Sequence, residues 1–122
     1  MRHRNTKAIL NRPADQRKAL KRSLVTSLFL HGAVKTTEAK AKALVSEAEK
    51  LITRAKRKVT KNEDMNAVRD LNQVLYSEDA SKKALTYIKE TKKDSGYTRL
   101  TRIKYRDGDN ALIVMVELIS DK

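Results

Sequence analysis

The chain has 122 residues, a hydrophobic fraction of 39%, a single Phe and no Trp, enough for one modest core. Its 28 Lys and Arg against 15 Asp and Glu leave a net charge of +13, which opposes compaction unless a polyanion neutralises it. Absent cysteine excludes disulfides, thiolate metal sites and cysteine nucleophiles; the longest apolar run, Ala111 to Val116, is too short to span a bilayer, and no apolar stretch near the start resembles a signal peptide.

The chain opens MRHRNTKAILNR, with almost no apolar residue in its first seven positions. Pro13 divides this basic arm, residues 1–12, from a body expected to form one domain, residues 13–122. Proline suits a first helical turn, where its missing N–H costs nothing, and Asp15 then favours the positive end of the helix dipole. Leu20, Leu24 and Leu28 follow at four-residue steps beside Val25, and Gly32 can supply a left-handed stop. The spacing predicts a helix over 14–31 with Arg17, Lys18, Lys21 and Arg22 on its outward face.

A short strand is predicted around Val34. Thr37 is placed to cap a second helix, with Glu38 in its first turn. That helix has an apolar stripe of Ala41, Leu44, Val45, Ala48, Leu51, Ile52, Ala55 and Val59. Lys50, Arg54, Arg57 and Lys61 form a second stripe, joined by Lys58, and no acid follows Glu49 until Glu63. One stripe must face the core and the other outward. Without local compensation, the cationic one reads as a phosphate-facing surface rather than a merely solvated one.

Residues 62–94 predict two short helices, one marked by Met65, Val68, Leu71 and Leu75, the other by Ala80, Ala84, Tyr87 and Ile88, with SEDAS between them as a turn. From Tyr97 the period changes to two. Tyr97, Arg99, Thr101, Ile103 and Tyr105 alternate with Thr98, Leu100, Arg102, Lys104 and Arg106. Arg99 and Leu100 break the pattern, which points to a bulge or an edge strand. DGDN is a turn in which Gly108 is free to take positive φ. ALIVMVELI then reads as a central or covered strand, apolar on both faces except at Glu117. Tyr105 reads as a core filler; Tyr97 stays open between a core role and a base-stacking one. Ile113 and Met115 stay open between facing the helices and facing a partner. The fold class is therefore α+β, about four helices packed on a small mixed sheet of one short strand and a C-terminal hairpin, with a basic N-terminal arm.

Charge alternates along this order. Residues 1–22, 35–61 and 82–106 carry about +7, +6 and +7, while 62–81 and 107–122 carry about −4 and −3. Three basic blocks suggest a folded body with several cationic surfaces rather than one loose tail, and also distinguish the start from a mitochondrial presequence. His3 and His31 lie in different elements, and Asp107 with Asp109 is better explained as a hairpin turn than as a calcium loop. No phosphate-binding glycine loop and no acid–base set stands out, so no catalytic residue, metal or cofactor is assigned.

The residues also resemble a family. The start MRHR, the Asn11–Arg12 pair, Arg17, KTTEAKAKAL from Lys35, EKLITRAK from Glu49, GYTRL from Gly96 and RDGDNA from Arg106, leading into VELI, look like the bacterial-type large-subunit ribosomal protein seventeen. Order and spacing agree along nearly the whole chain. Lys93, Asp94 and Ser95 depart from the Pro and second Gly the family commonly carries before GYTR, and residues 62–81 match poorly. The resemblance implies a structural, non-catalytic component of the large subunit in the cytoplasmic ribosome, with helices on a small sheet. It implies binding to large-subunit ribosomal RNA beside neighbouring ribosomal proteins, near the nascent-chain exit, and no membrane or small-molecule partner. By resemblance Arg2, His3, Arg4, Asn11 and Arg12 belong to an RNA-contacting arm, and Lys35, Thr36, Thr37, Tyr97, Thr98 and Arg99 match the strongest motifs of the body. Lys7 and the cations Arg102, Lys104 and Arg106 extend this expected interface. Affinity should fall steeply with salt, and the first ten or so residues should order only on RNA. The alternative is a basic DNA-binding or nucleoid-associated protein, which would show a groove-reading helix or a dimer interface.

Overall fold

The computed structural model describes residues 3–120; Arg2, expected in the interface, lies outside them. Helix α1, Ala14–His31, is capped by Pro13, whose carbonyl accepts the Arg17 N–H at 2.9 Å. It ends at Gly32, with φ of 78° and its N–H on the Leu28 carbonyl, the left-handed stop the sequence anticipates. Val25, Leu28 and Phe29 are buried, while Leu20 and Leu24 are half-buried. Strand β1, Ala33–Thr37, leads directly into α2, Glu38–Thr60. Ala41, Leu44, Ala48, Leu51, Ile52 and Ala55 of α2 are buried, so its apolar stripe is the spine of the core.

Helices α3, Asp64–Val74, and α4, Glu78–Glu90, follow. The SEDAS stretch is not itself the turn. Glu78 to Ser81 already belong to α4, because two acids suit the first turn of a helix, and Ser77 alone is the capping position. Neither Ser77 nor Thr37 uses its hydroxyl as a cap. Met65 is exposed, since Ala67 and Leu71 carry the buried side of α3.

Strands β2, Thr98–Tyr105, and β3, Leu112–Leu118, complete a sheet in the order β1-β3-β2. It is antiparallel throughout rather than mixed, because both outer strands flank β3, which runs against each. Val114 and Val116 are buried in the same core as the helices. Alternation then puts Ile113 and Met115 on the opposite face, which settles that open choice against the helices. In the β2–β3 turn the left-handed residue is Asn110, with φ of 59°, and not Gly108. Asn tolerates that conformation, and the Asp109 carboxylate accepts the N–H of Ala111 at 3.2 Å, closing the turn one residue later than expected. The far end of the sheet is pinned by the Tyr87 hydroxyl. It lies 2.7 Å from the Ile119 carbonyl and 3.1 Å from that of Tyr97.

Candidate nucleic-acid interface

Helix α2 presents its cations as a row because its 3.6-residue turn brings positions 50, 54, 57 and 61 to one side. Lys50, Arg54, Arg57 and Lys61 are all exposed, and none is ion-paired with a described residue. Lys58 leaves this set. Its ammonium pairs with Asp70 of α3, whose otherwise unpartnered Oδ2 is buried. The compensating acid comes from a distant segment, which a count along α2 does not reveal.

Two adjoining depressions run along this row. One, of about 490 Å³, is lined by Lys50, Thr53, Arg54 and Arg57 with Ser95. The other, of about 390 Å³, is lined by Thr53, Arg57, Thr60 and Lys61 with Asp94 and Tyr97. Thr53 and Thr60 add hydroxyls that a charge count misses; their seven-residue spacing beside the stripe is the signal. Lys56 builds the far wall. Its ammonium reaches the Thr91 carbonyl at 3.4 Å, the Lys93 carbonyl and the Asp94 carboxylate at 3.9 Å, fixing the loop that precedes β2. It also lies 5.7 Å from the centre of the Tyr97 ring.

Tyr97 is 1% exposed, so its ring is core and is not available for stacking. Burial, then the carboxylates of Asp94 and Glu49, push its phenol up from the ordinary value against the hydrogen bond from Thr53. Thr98 is likewise occupied. Its N–H and hydroxyl both donate to the Glu49 carboxylate at 2.9 Å, which occupies that acid although it also lines the first depression. Tyr105, expected in the core, is 62% exposed.

The arm runs without regular structure beside α2, with Leu10 and Asn11 both left-handed at φ of 55° and 54°. Arg12 donates to the Leu10 carbonyl at 2.8 Å across this bend. Between arm and helix lies a cleft of about 1010 Å³, with Lys7 and Asn11 on one side and Ala39, Ala43 and Ser46 on the other, where Glu38 and Glu47 also line it beside Lys42 and Lys50. Lys50 lines both this cleft and the first depression, so arm and row form one continuous track along α2. His3, Arg4 and Lys7 are exposed.

The other expected residues are divided. On α1, Lys18 is exposed and Arg17 half-buried. Lys21 sits 3.4 Å from Glu47. Arg22 is structural, donating to the Val74 carbonyl at 2.8 Å and stacking 4.3 Å over the Tyr76 ring. On the sheet, Lys35 opposes Met115 on the face away from the helices, whereas Thr36 opposes Val114 on the helix side and Thr37 ends β1 at the N-cap position of α2. Arg99 lies 3.7 Å from Glu117, Arg102 3.8 Å from Glu38, and Arg106 holds Asp109 with two hydrogen bonds at 2.9 and 2.6 Å. Lys104 has no such partner among the described residues. His31 is exposed at the end of α1. Among the described residues no three acids or histidines are grouped to hold a metal, and no helix is long and apolar enough to cross a membrane.

Residues 20–119 match a family model described as ribosomal protein L17. The whole chain is 41% identical, over 124 residues, to the large ribosomal subunit protein bL17 of Desulforapulum autotrophicum, covering 99% of that protein. Over 112 residues it is 42% identical to the protein of the same name from Clostridium perfringens, and 41% to that from Clostridium botulinum, covering 90% of this chain and 95% of each.

Proposed function

Because the chain belongs to the ribosomal protein L17 family, we propose that it binds large-subunit ribosomal RNA along the α2 track and the arm, near the nascent-chain exit. As a member it is a structural component of the large ribosomal subunit, not an enzyme, and resides in the cytoplasmic ribosome. RNA and neighbouring ribosomal proteins are its partners, and membership takes the place of the DNA-binding alternative.

One observation carries the RNA reading: four exposed cations of α2 stand in a row with no acid paired to them, over about 16 Å of helix. A row at that pitch follows a phosphate backbone, with the adjoining depressions receiving sugar and phosphate. Arg54 and Arg57 can each give a phosphate two N–H groups, fixing position as well as adding attraction. The A-form major groove is too narrow for side chains to read, so recognition is by backbone and shape, with the arm entering crevices beyond the body's reach.

The test is binding of a large-subunit RNA fragment across a salt series. Replacing Arg54, Arg57 and Lys61 together by Gln should weaken binding and lower the slope of log affinity against log salt by about 2 to 3, given roughly 0.7 to 0.9 per phosphate contact. An unchanged slope would mean that the row is only solvated. Crosslinking from residues 3–12 in assembled subunits should capture RNA at the nascent-chain exit; capture elsewhere overturns that placement.

A further inference from the structure

The β2–β3 hairpin carries a second feature that the α2 track does not use. In β2, Thr98, Leu100 and Arg102 oppose Leu118, Val116 and Val114, on the helix side of the sheet. Continued alternation would place Tyr105 on the other face. The register instead shifts between Arg102 and Lys104, so that Lys104 opposes Ile113 and Tyr105 opposes Leu112. The bulge therefore moves Tyr105 to the face of Leu100 and Arg102. Val114 and Val116 are fully buried there, yet Leu100, Ile103 and Tyr105 are 37%, 43% and 62% exposed. Helix α2 meets this strand at Thr98 and Arg102, through Glu49 and Glu38, yet leaves Leu100, Ile103 and Tyr105 open to solvent.

We propose that Tyr105 is a stacking platform for an unpaired base of the RNA, with Arg102, on the same face of the strand, holding the phosphate beside it. This rests on the RNA-binding reading above and names what the hairpin takes. Three observations support it. The ring is exposed, and its hydroxyl makes no hydrogen bond to a described residue, so the strand holds the ring where a ligand can reach it. The strand holds Arg99, Arg102 and Lys104 and no acid, which favours a polyanion over an ordinary protein surface. The ion pairs of Arg99 and Arg102 are long and exposed, hence weak enough to be exchanged for phosphate. Presentation is also rigid. Arg106 grips Asp109, its N–H donates to the Ala111 carbonyl at 2.7 Å, and its carbonyl accepts the Asn110 N–H at 2.8 Å. A ring held beside a fixed turn loses little entropy when a base lies on it. Unpaired bases in RNA loops are bound in this way, on aromatic faces flanked by cations.

The experiment compares Tyr105→Phe, Tyr105→Leu and Tyr105→Ala in binding to the large-subunit RNA fragment, with folding checked by circular dichroism. Stacking needs the ring and not the hydroxyl. Phe should bind within twofold of the unchanged chain, and Ala and Leu about 5- to 150-fold more weakly. The salt slope should be the same for all, since no phosphate contact is removed. Ala binding as well as Phe overturns the proposal. So does normal binding of free RNA by Tyr105→Ala combined with poor incorporation into large subunits, which would assign the ring to a protein neighbour. Failure of the unchanged chain to bind RNA would instead remove the RNA reading as a whole.

Discussion

Asp109 accepts two hydrogen bonds from Arg106 and one from the backbone of Ala111, and these hold its carboxyl down to about 2. A carboxyl whose folded value lies below its unfolded one, near 3.8, steadies the turn fully above about pH 4 and loses that effect as pH falls through about 2. Titration followed by NMR should therefore show the hairpin tip intact at pH 4 and opening towards pH 2. Arg106→Gln should move the Asp109 midpoint up towards the ordinary value, and an Asp109 midpoint near 4 in the unchanged chain would show that the pair does not form in solution. At this scale the sequence was least legible in its tyrosines. Strict alternation put Tyr97 and Tyr105 on one face. The disturbed pattern at Arg99 and Leu100 pointed to a bulge, but its position at 102–104 depends on pairing with β3. The extra residue turns Tyr105 to the helix side, where it nevertheless stays exposed, whereas Tyr97 is buried just before β2 begins. Arg22, Lys58 and Thr98 show the same limit, since their partners Val74, Asp70 and Glu49 lie in other elements.

Between elements, α2 shows what helical period can and cannot reveal. Its two stripes follow from spacing alone, and the buried one is as expected, because a helix has one face for the core whatever its neighbours are. What spacing cannot supply is the packing of α3. There Lys58 meets Asp70, and Lys89 of α4 meets Asp64 at 2.8 Å, so part of the acidic block 62–81 is consumed inside the molecule. Lys58→Met leaves a buried carboxylate oxygen without its partner and should cost about 1 to 3 kcal/mol in urea unfolding. Adding Asp70→Asn should recover part of that loss, because the unpaired charge is gone. Strict additivity of the two changes would show that the residues do not act as a pair. The hairpin is legible in the change of period at Tyr97, the DGDN turn and the apolar run after it, and β1 in its shortness and Val34. The wholly antiparallel order is not, since it depends on which strand lies in the middle.

Over the whole molecule, the basic blocks 1–22 and 35–61 meet along one side, where arm and α2 form the track, while block 82–106 supplies the loop wall and β2. Composition supports the expectation of a polyanion, and charge order along the chain that of several cationic surfaces, but the joining of arm to helix requires the fold. The sheet also bears on how the chain reaches that fold. Its middle strand is β3, separated from β1 in the chain by α2, α3, α4 and β2, from Thr37 to Leu112. Strand β1 can find no neighbour until the end of the chain is made, whereas α1 and α2 can already close over one another. Long-range pairing of this kind is slow to form, and a chain synthesised from its N-terminus must hold its exposed apolar residues meanwhile. In stopped-flow experiments Val114→Ala should accelerate unfolding and leave the folding rate nearly unchanged, the signature of a strand that docks after the rate-limiting step. A folding rate that falls in step with stability would place β3 in the nucleus. If β3 docks last, the α2 face proposed to take RNA is formed before the sheet that carries Tyr105 has closed, and on that proposal binding can precede completion of the fold.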